Sequence, residues 1–277
     1  MSSFTSHWLA LREPADHRAR DKNLRNLMLA HIQHDATPLT ILDIGAGAGS
    51  NCRALAPFIK RDQHWILCDY DDALLKTARQ SLSHFITHAQ MRDDEIVGRL
   101  GAYEIRISSM KADVARDIET ILARPYGLVT SAAFFDLAGE AWIERFCRAL
   151  RAPLYTVLTY DGREIWQPFH SADEAMLNAF HKHQQQDKGL GYALGPAAHE
   201  ALKSHLLRYD FNVHEAKSDW VLDRSSHELI RALAQGSAEA VRETGWVDEA
   251  VIADWLSTHE RAETCCVGHR DLWAFKV

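Results

Sequence analysis

Apolar residues along the chain follow two spacings in turn, and that alternation is the first sign of architecture. Residues 39–44, Leu-Thr-Ile-Leu-Asp-Ile, make an apolar run of strand length, separated from what precedes it by Pro38. Comparable short runs recur at 64–68, 127–131 and 154–158, and residues 104–108, Glu-Ile-Arg-Ile-Ser, alternate like a further strand. Between them, residues 51–59, 71–85, 118–123 and 141–150 place apolar side chains at helical spacing. Ahead of the first strand, Leu24, Leu27, Met28 and Ile32 predict an amphipathic helix over 16–34. Strands separated by helices in this way predict βαβ units. The expected fold is therefore α/β, a doubly wound and mostly parallel sheet with helices on both faces.

The pattern changes after Tyr160. Residues 171–188 predict a helix rich in His and Gln, leading into a loop marked by Gly189, Gly191, Gly195 and Pro196. A helix over 197–208 follows, then an interrupted strand over 211–222, helices over 228–242 and 248–259, and one or two strands within 264–277. With no repeat and no low-complexity linker, a single domain over 1–277 is expected. Its parts are an N-terminal helical segment (1–36), a core (38–160), a helical cap (161–208), and C-terminal strands with a helical insertion (209–277).

Chemistry concentrates where the first strand ends. Gly45-Ala46-Gly47-Ala48-Gly49 joins that strand to a helix, which presents backbone N–H groups and a helix N-terminus at the sheet's carboxyl edge. Glycines let the chain turn sharply and admit a ligand close to the backbone. Such a run serves dinucleotide enzymes as well as others, so three acids decide between them. Asp43, two residues before Gly45, can reach a ligand's ammonium group, whereas a nicotinamide or flavin site normally carries an apolar residue there. Asp69 ends the second strand twenty residues after Gly49, the spacing at which an acid takes ribose hydroxyls. Asp113 follows the third strand, placed to accept from an adenine amino group. An ammonium, a ribose and an adenine are the parts of S-adenosyl-L-methionine.

These residues carry a family resemblance. Leu42-Asp43-Ile44-Gly45-Ala46-Gly47-Ala48-Gly49 resembles the first motif of class I S-adenosylmethionine-dependent methyltransferases. Leu67-Cys68-Asp69-Tyr70 is similar to the second motif, and Ala112-Asp113-Val114 to the third. The resemblance covers residues 38–160 and implies a Rossmann-like, seven-stranded sheet whose last two strands form an antiparallel addition. It places Asp43, Gly45, Ala46 and Gly47 near the methionine portion, Asp69 and Tyr70 at the ribose, and Asp113 and Val114 at the adenine. Ser131, at the end of the fourth strand, would border the cofactor. Phe134 and Phe135 follow it, either packing in the core or walling a substrate site. The segment lacks the Asn-Pro-Pro-Tyr or Asp-Pro-Pro-Tyr sequence of amino-methylases acting on adenine or glutamine. Residues 8–16 and 183–196 are also similar to a group of bacterial methyltransferase-domain proteins with no settled substrate.

Methyl transfer from a sulfonium is an in-line displacement, so positioning supplies most of the catalysis. A base is needed only where the acceptor must first lose a proton. Tyr160 and Arg163 leave the fifth strand at the ligand edge. On a helix, His183 and Asp187 are four apart and share a face, which suits either an oriented imidazole or a solvated polar surface. The expected lid therefore spans 160–196, with Tyr160 and His183 in catalysis and Phe134, Arg163 and Asp187 at the substrate. His181 and His183 face nearly opposite ways, and His31 and His34 have no further ligand at motif spacing. Without HExxH or a cysteine pair, no metal is expected.

Bulk properties narrow the partners. A net charge of -7 disfavours a dedicated nucleic-acid binder and leaves a small-molecule acceptor as the expectation. No apolar run approaches a membrane span, and residues 1–11 lack a basic segment followed by an apolar one. Five cysteines without framework spacing fit reduced thiols, hence a cytoplasmic expectation. Two readings compete with methyl transfer: a nicotinamide-dependent oxidoreductase, and a relative that binds the cofactor without chemistry. The oligomeric state leaves no trace in the sequence.

Overall fold

In the strand β1 (Leu39–Ile44) the period of two is visible in what each side chain packs against. Leu39 and Ile41 enter one hydrophobic cluster, and Leu42 and Ile44 enter a second cluster on the opposite face. A strand apolar on both sides belongs inside a sheet covered by helices on both faces. The computed structural model describes residues 5–33, 37–92, 95–187 and 189–276, so His34 and Lys188 lie outside the described residues.

The remaining strands are β2 (Gln63–Asp69), β3 (Thr87–Arg92), β4 (Glu95–Leu100), β5 (Tyr103–Lys111), β6 (Leu128–Ala132), β7 (Leu154–Gln167), β8 (Asn212–Lys217), β9 (Trp220–Leu222) and β10 (Thr264–Phe275). They form one ten-stranded sheet in the order β3-β4-β5-β2-β1-β6-β7-β10-β8, with β9 paired to β10. The central strands β5, β2, β1, β6 and β7 are parallel, while β10 runs antiparallel to both β7 and β8. This is the Rossmann-like α/β arrangement with an antiparallel final pair, and among the described residues it holds ten strands rather than seven. The additions are β9 and the β3–β4 hairpin, which joins the edge of β5 with Ile96 opposite Ile107. No strand was expected over 87–100, because an edge hairpin needs little apolar patterning; β3 is almost wholly exposed.

The fifth strand also departs from expectation. β7 runs on to Gln167, so residues 164–167 are paired to β10, beyond an irregularity at 161–163, instead of opening a helical cap. Its outer half is polar and reads poorly as strand, yet Cys265 opposite Trp166 holds the register.

Helices cover both faces. Against one face lie α2 (Lys22–Ile32), α4 (Asp72–Phe85), α9 (His227–Thr244) and α10 (Glu249–His259), burying residues such as Met28, Leu82, Val241 and Trp255. Against the other lie α5 (Val114–Leu122), α6 (Glu140–Ala149) and α8 (Ala198–Arg208), burying Ile118, Phe146 and Leu202. α4 shows why such segments are helical. Asp71 caps it by accepting from the N–H groups of Ala73 and Leu74, and Leu74, Leu75, Ala78 and Leu82 form one buried stripe. Each fully buried leucine contributes about 1.5–3 kcal/mol.

The N-terminal region holds two helices where one was expected over 16–34. α1 (Ser6–Ala19) ends before Asp21, which caps α2 by accepting from Leu24 N–H at 2.6 Å. The Asp21 N–H in turn donates to Asp271 Oδ2 at 2.9 Å, fixing the break to the far end of the chain. α3 (Ser50–Leu55) follows the glycine turn, and α7 (Asp173–Gln184) follows β7.

Candidate active site

The register of the two central strands brings the glycine turn and Asp69 together. Ile44 lies beside Cys68, so the chain leaves β1 into Gly45 next to where β2 reaches Asp69. Gly45, Gly47 and Gly49 all have positive φ, a conformation that L side chains rarely adopt. At Gly45 space forbids a side chain as well: a Cβ would lie 2.6 Å from the Phe134 ring. The Gly47 N–H donates to Asp69 Oδ2 at 2.9 Å, and the Asp71 N–H donates to Asp69 Oδ1 at 3.0 Å. Burial raises the pKa of Asp69, and these backbone donors pull it partly back.

Beyond these strand ends opens a cleft of about 1120 Å³, its mouth included. Gly45, Ala46, Gly47, Asp69 and Tyr70 line it, as do Val114 and Phe134. Its walls are predominantly apolar, as small-molecule sites are. Phe134 does both things the sequence left open: it packs edge-on against Phe135 and Trp142 and also faces the cleft.

Asp43 is placed differently from expectation. It is fully buried beneath the turn and does not line the cleft. Its Oδ1 accepts from Asn51 Nδ2 at 2.7 Å, while Oδ2 has no partner, and burial pushes its pKa up to about 7. Asn51 is therefore what faces the cleft, and its Oδ1 accepts from Arg20 Nη1 at 2.7 Å. Asp113 spends Oδ1 capping α5 at the Ala115 N–H, so only its neighbour Val114 reaches the lining. Ser131 is buried between strands against Thr156 Oγ1 at 3.0 Å.

The sequence reading missed the whole contribution of α1. Leu9, Arg12, Asp16 and, just past the helix, Arg20 line the cleft. Arg12 and Asp16 form a two-pronged ion pair at 2.9 and 3.2 Å, and Trp220 Nε1 donates to Asp16 at 3.1 Å. Arg20 is only 6% exposed, and its Nε and Nη2 have no partner among the described residues. A buried guanidinium left with two unmet donors is costly, so it points to an anion in the cleft. The i, i+4 pairing of Arg12 with Asp16 was the available signal for a helix there.

The residues proposed for the lid are scattered. His183 meets Glu243 Oε2 at 2.8 Å on the side of α7 facing α9, away from the cleft. Asp187 lies past the end of α7, where its Oδ1 accepts from the Gly189 N–H, so it shares no helix face with His183. Arg163 is held between Asp161 and Asp219 by bonds as short as 2.6 Å. Tyr160 donates to Glu164 Oε1 at 3.1 Å and lies 2.9 Å from His181 Nε2, outside the cleft lining. Of the same segment, one residue reaches the cleft and another bonds a residue beside its wall. Leu190 lines the cleft, and Gln184 Nε2 donates to Asp136 Oδ2 at 3.2 Å. Asp136, just after β6 and beside the cleft-lining Leu137, has a second oxygen without a partner, and burial pushes its pKa up to about 6.

No protein-family profile matches the chain, and no curated protein matches it. Among solved structures it is similar to the YcgJ protein from Bacillus subtilis, at 12% identity and a TM-score of 0.49, over 92% of this chain and 99% of that one. It is similar to an S-adenosylmethionine-dependent methyltransferase from Thiobacillus denitrificans in complex with S-adenosyl-L-homocysteine, at 11% identity and a TM-score of 0.46, over 98% and 99% of the two chains. The cyclopropane synthase MmaA2 from Mycobacterium tuberculosis matches at 12% identity and a TM-score of 0.47, over 98% and 95%. These likenesses are coarse, and the functional reading rests on the cleft. Among the described residues no helix is long and apolar enough to cross a membrane.

Proposed function

We propose that this chain transfers the methyl group of S-adenosyl-L-methionine to a small-molecule acceptor. The observation that carries the reading is one cleft lined both by a carboxylate, Asp69, and by a buried guanidinium, Arg20, with two donors unmet among the described residues. Asp69 beside the glycine turn suits ribose hydroxyls, the apolar wall at Val114 and Leu74 suits an adenine, and Arg20 suits the amino-acid carboxylate. The ammonium would meet Asn51, whose amide is oriented by Asp43 beneath it. Held there, the cofactor supplies a methyl group on a sulfonium.

The chain's own part is to position the reactants and exclude water, which suffices where the acceptor is already nucleophilic. Where the acceptor must lose a proton, Asp136 is the better-placed acceptor than His183. It adjoins the cleft-lining Leu137 along the chain, and burial that pushes its pKa up to about 6 suits general-base work. The net charge of -7 favours a small acceptor over nucleic acid.

Calorimetry with S-adenosyl-L-homocysteine and, separately, with a nicotinamide dinucleotide tests the reading. Binding of the first with micromolar-scale affinity, and none of the second, is the expected result. The reverse pattern would establish the oxidoreductase alternative instead.

A further inference from the structure

A second cavity, of about 780 Å³ including its mouth, lies outside the cleft, between the outer half of β7 and the helices α7, α9 and α10. Its walls carry Trp166, Phe169, Phe180 and Trp255. Trp166 and Trp255 meet edge to face, with ring centroids 5.5 Å apart, and Phe169 stands 77% exposed at the mouth. The polar lining is anionic but for one hydroxyl, Ser237: Glu164, Asp173 and Glu174 contribute, and no lysine, arginine or histidine lines the cavity.

Glu164 differs from an ordinary surface acid. It accepts from the Tyr160 hydroxyl and from the Trp166 side chain, and no described residue forms an ion pair with it. Burial pushes its pKa up to about 7, so the cavity holds its charge poorly while empty. Trp166 and Trp255 turn their indole N–H edges to Glu164 and Asp173, and Asp173 is also met by His259 Nε2 at 3.0 Å, which leaves Glu164 as the lining acid open to a cation among aromatic side chains that favour one that is bulky and weakly hydrated. A hydrated metal ion fits worse, since the aromatic walls offer it no ligand oxygens.

We infer that this cavity binds an organic ammonium group, with Glu164 as its counter-ion and the tryptophan and phenylalanine rings as its walls. The inference stands independently of the cofactor reading, because no residue is shared between the two linings. The cavity lies beside α7, whose last turn touches Asp136 through Gln184. Occupancy there would therefore bear directly on the helix that borders the proposed acceptor site.

Choline is a suitable probe, with the uncharged alcohol in which carbon replaces its nitrogen as control. Ligand-observed NMR on the intact protein should show choline binding at least about tenfold more tightly than the isostere, the scale of a desolvated cation–π contact. Glu164→Gln should weaken choline at least about fivefold and leave the isostere unchanged. Phe169→Ala, at an exposed position where folding is safe, should weaken choline as well. S-adenosyl-L-homocysteine should not displace it. Equal binding of both probes, displacement by S-adenosyl-L-homocysteine, or indifference to both substitutions would overturn the inference. If Glu164→Gln fails to fold, Phe169→Ala and the isostere comparison still decide it.

Discussion

Arg20→Ala separates the cofactor reading from a purely structural role for this residue. Arg20 is 6% exposed, bonds Asn51 through Nη1, and leaves Nε and Nη2 free. If a ligand carboxylate takes those two donors, the substitution removes a buried, charge-assisted pair, which typically costs 2–5 kcal/mol. Part of that is offset, because the alanine variant no longer buries an unpaired guanidinium when empty. A net loss of about 2–4 kcal/mol, roughly 30- to 1,000-fold in Kd, is expected for S-adenosyl-L-homocysteine. Methylthioadenosine, which lacks the amino-acid portion, supplies the control and should lose less than about threefold. Calorimetry on both proteins with both ligands gives the cycle directly. Arg20→Lys should recover part of the loss, since it restores charge without the forked geometry. Equal weakening of both ligands would mean that Arg20 supports the turn through Asn51, and the carboxylate assignment would fail.

Three further outcomes are expected. Asp69→Asn should weaken S-adenosyl-L-homocysteine and methylthioadenosine alike, by about 1–3 kcal/mol, because both carry the ribose; unchanged calorimetry would reduce Asp69 to a brace for the Gly47 N–H. Gly45→Ala should lower the melting temperature and binding together, since positive φ costs about 1–3 kcal/mol and the Cβ would collide with Phe134; a variant with unaltered melting would refute this packing. Asp43, with a folded pKa near 7 against an ordinary 3.8, binds more protons folded than unfolded between those values. Its contribution should therefore lower stability as pH rises from about 4 to 7 and stay level above, by a few kcal/mol at most. Asp43→Asn should flatten that slope in denaturant titrations, and an unaltered slope would show that Asp43 is ionised throughout.

What the sequence disclosed follows from what leaves a periodic trace. β1, β6 and the inner half of β7 are short apolar runs buried on both sides, β5 alternates exposed and buried residues, and the glycine turn is dictated by backbone conformation, so these were legible. The β3–β4 hairpin was not, because its outer strand is exposed and carries no alternation. The outer half of β7 was not, because Asp161, Arg163 and Glu164 find side-chain partners that a linear pattern cannot show. The glycine motif points to a turn that lines the cleft, but not to how the nearby acids are placed. Asp43 points into the sheet and Asp113 caps a helix, while Asn51 and Arg20 stand in the cleft. His183 and Asp187 could share a face only on a helix reaching residue 187, and α7 ends at Gln184.

The residues that escaped the sequence reading also explain why the cleft has two sides. The glycine turn alone would be an open edge of the sheet. Arg53, on α3 directly after that turn, closes it against α1 through Glu13 at 2.6 and 2.7 Å. The same guanidinium donates to the Ala48 carbonyl at 2.9 Å and to Ser81 on α4 at 2.7 Å. One side chain thus ties the turn to the N-terminal helix and to the helix that follows Asp69. Both partners of the ion pair are mostly shielded from water, so it is screened less than a surface pair. Leu9, Arg12 and Asp16 reach the cleft only because α1 is held there. The Arg53–Glu13 pair thus joins the Trp220–Asp16, His17–Ser50 and Arg20–Asn51 contacts in holding the N-terminal helix and the residue after it over the glycine turn, so that the cleft gains its second side.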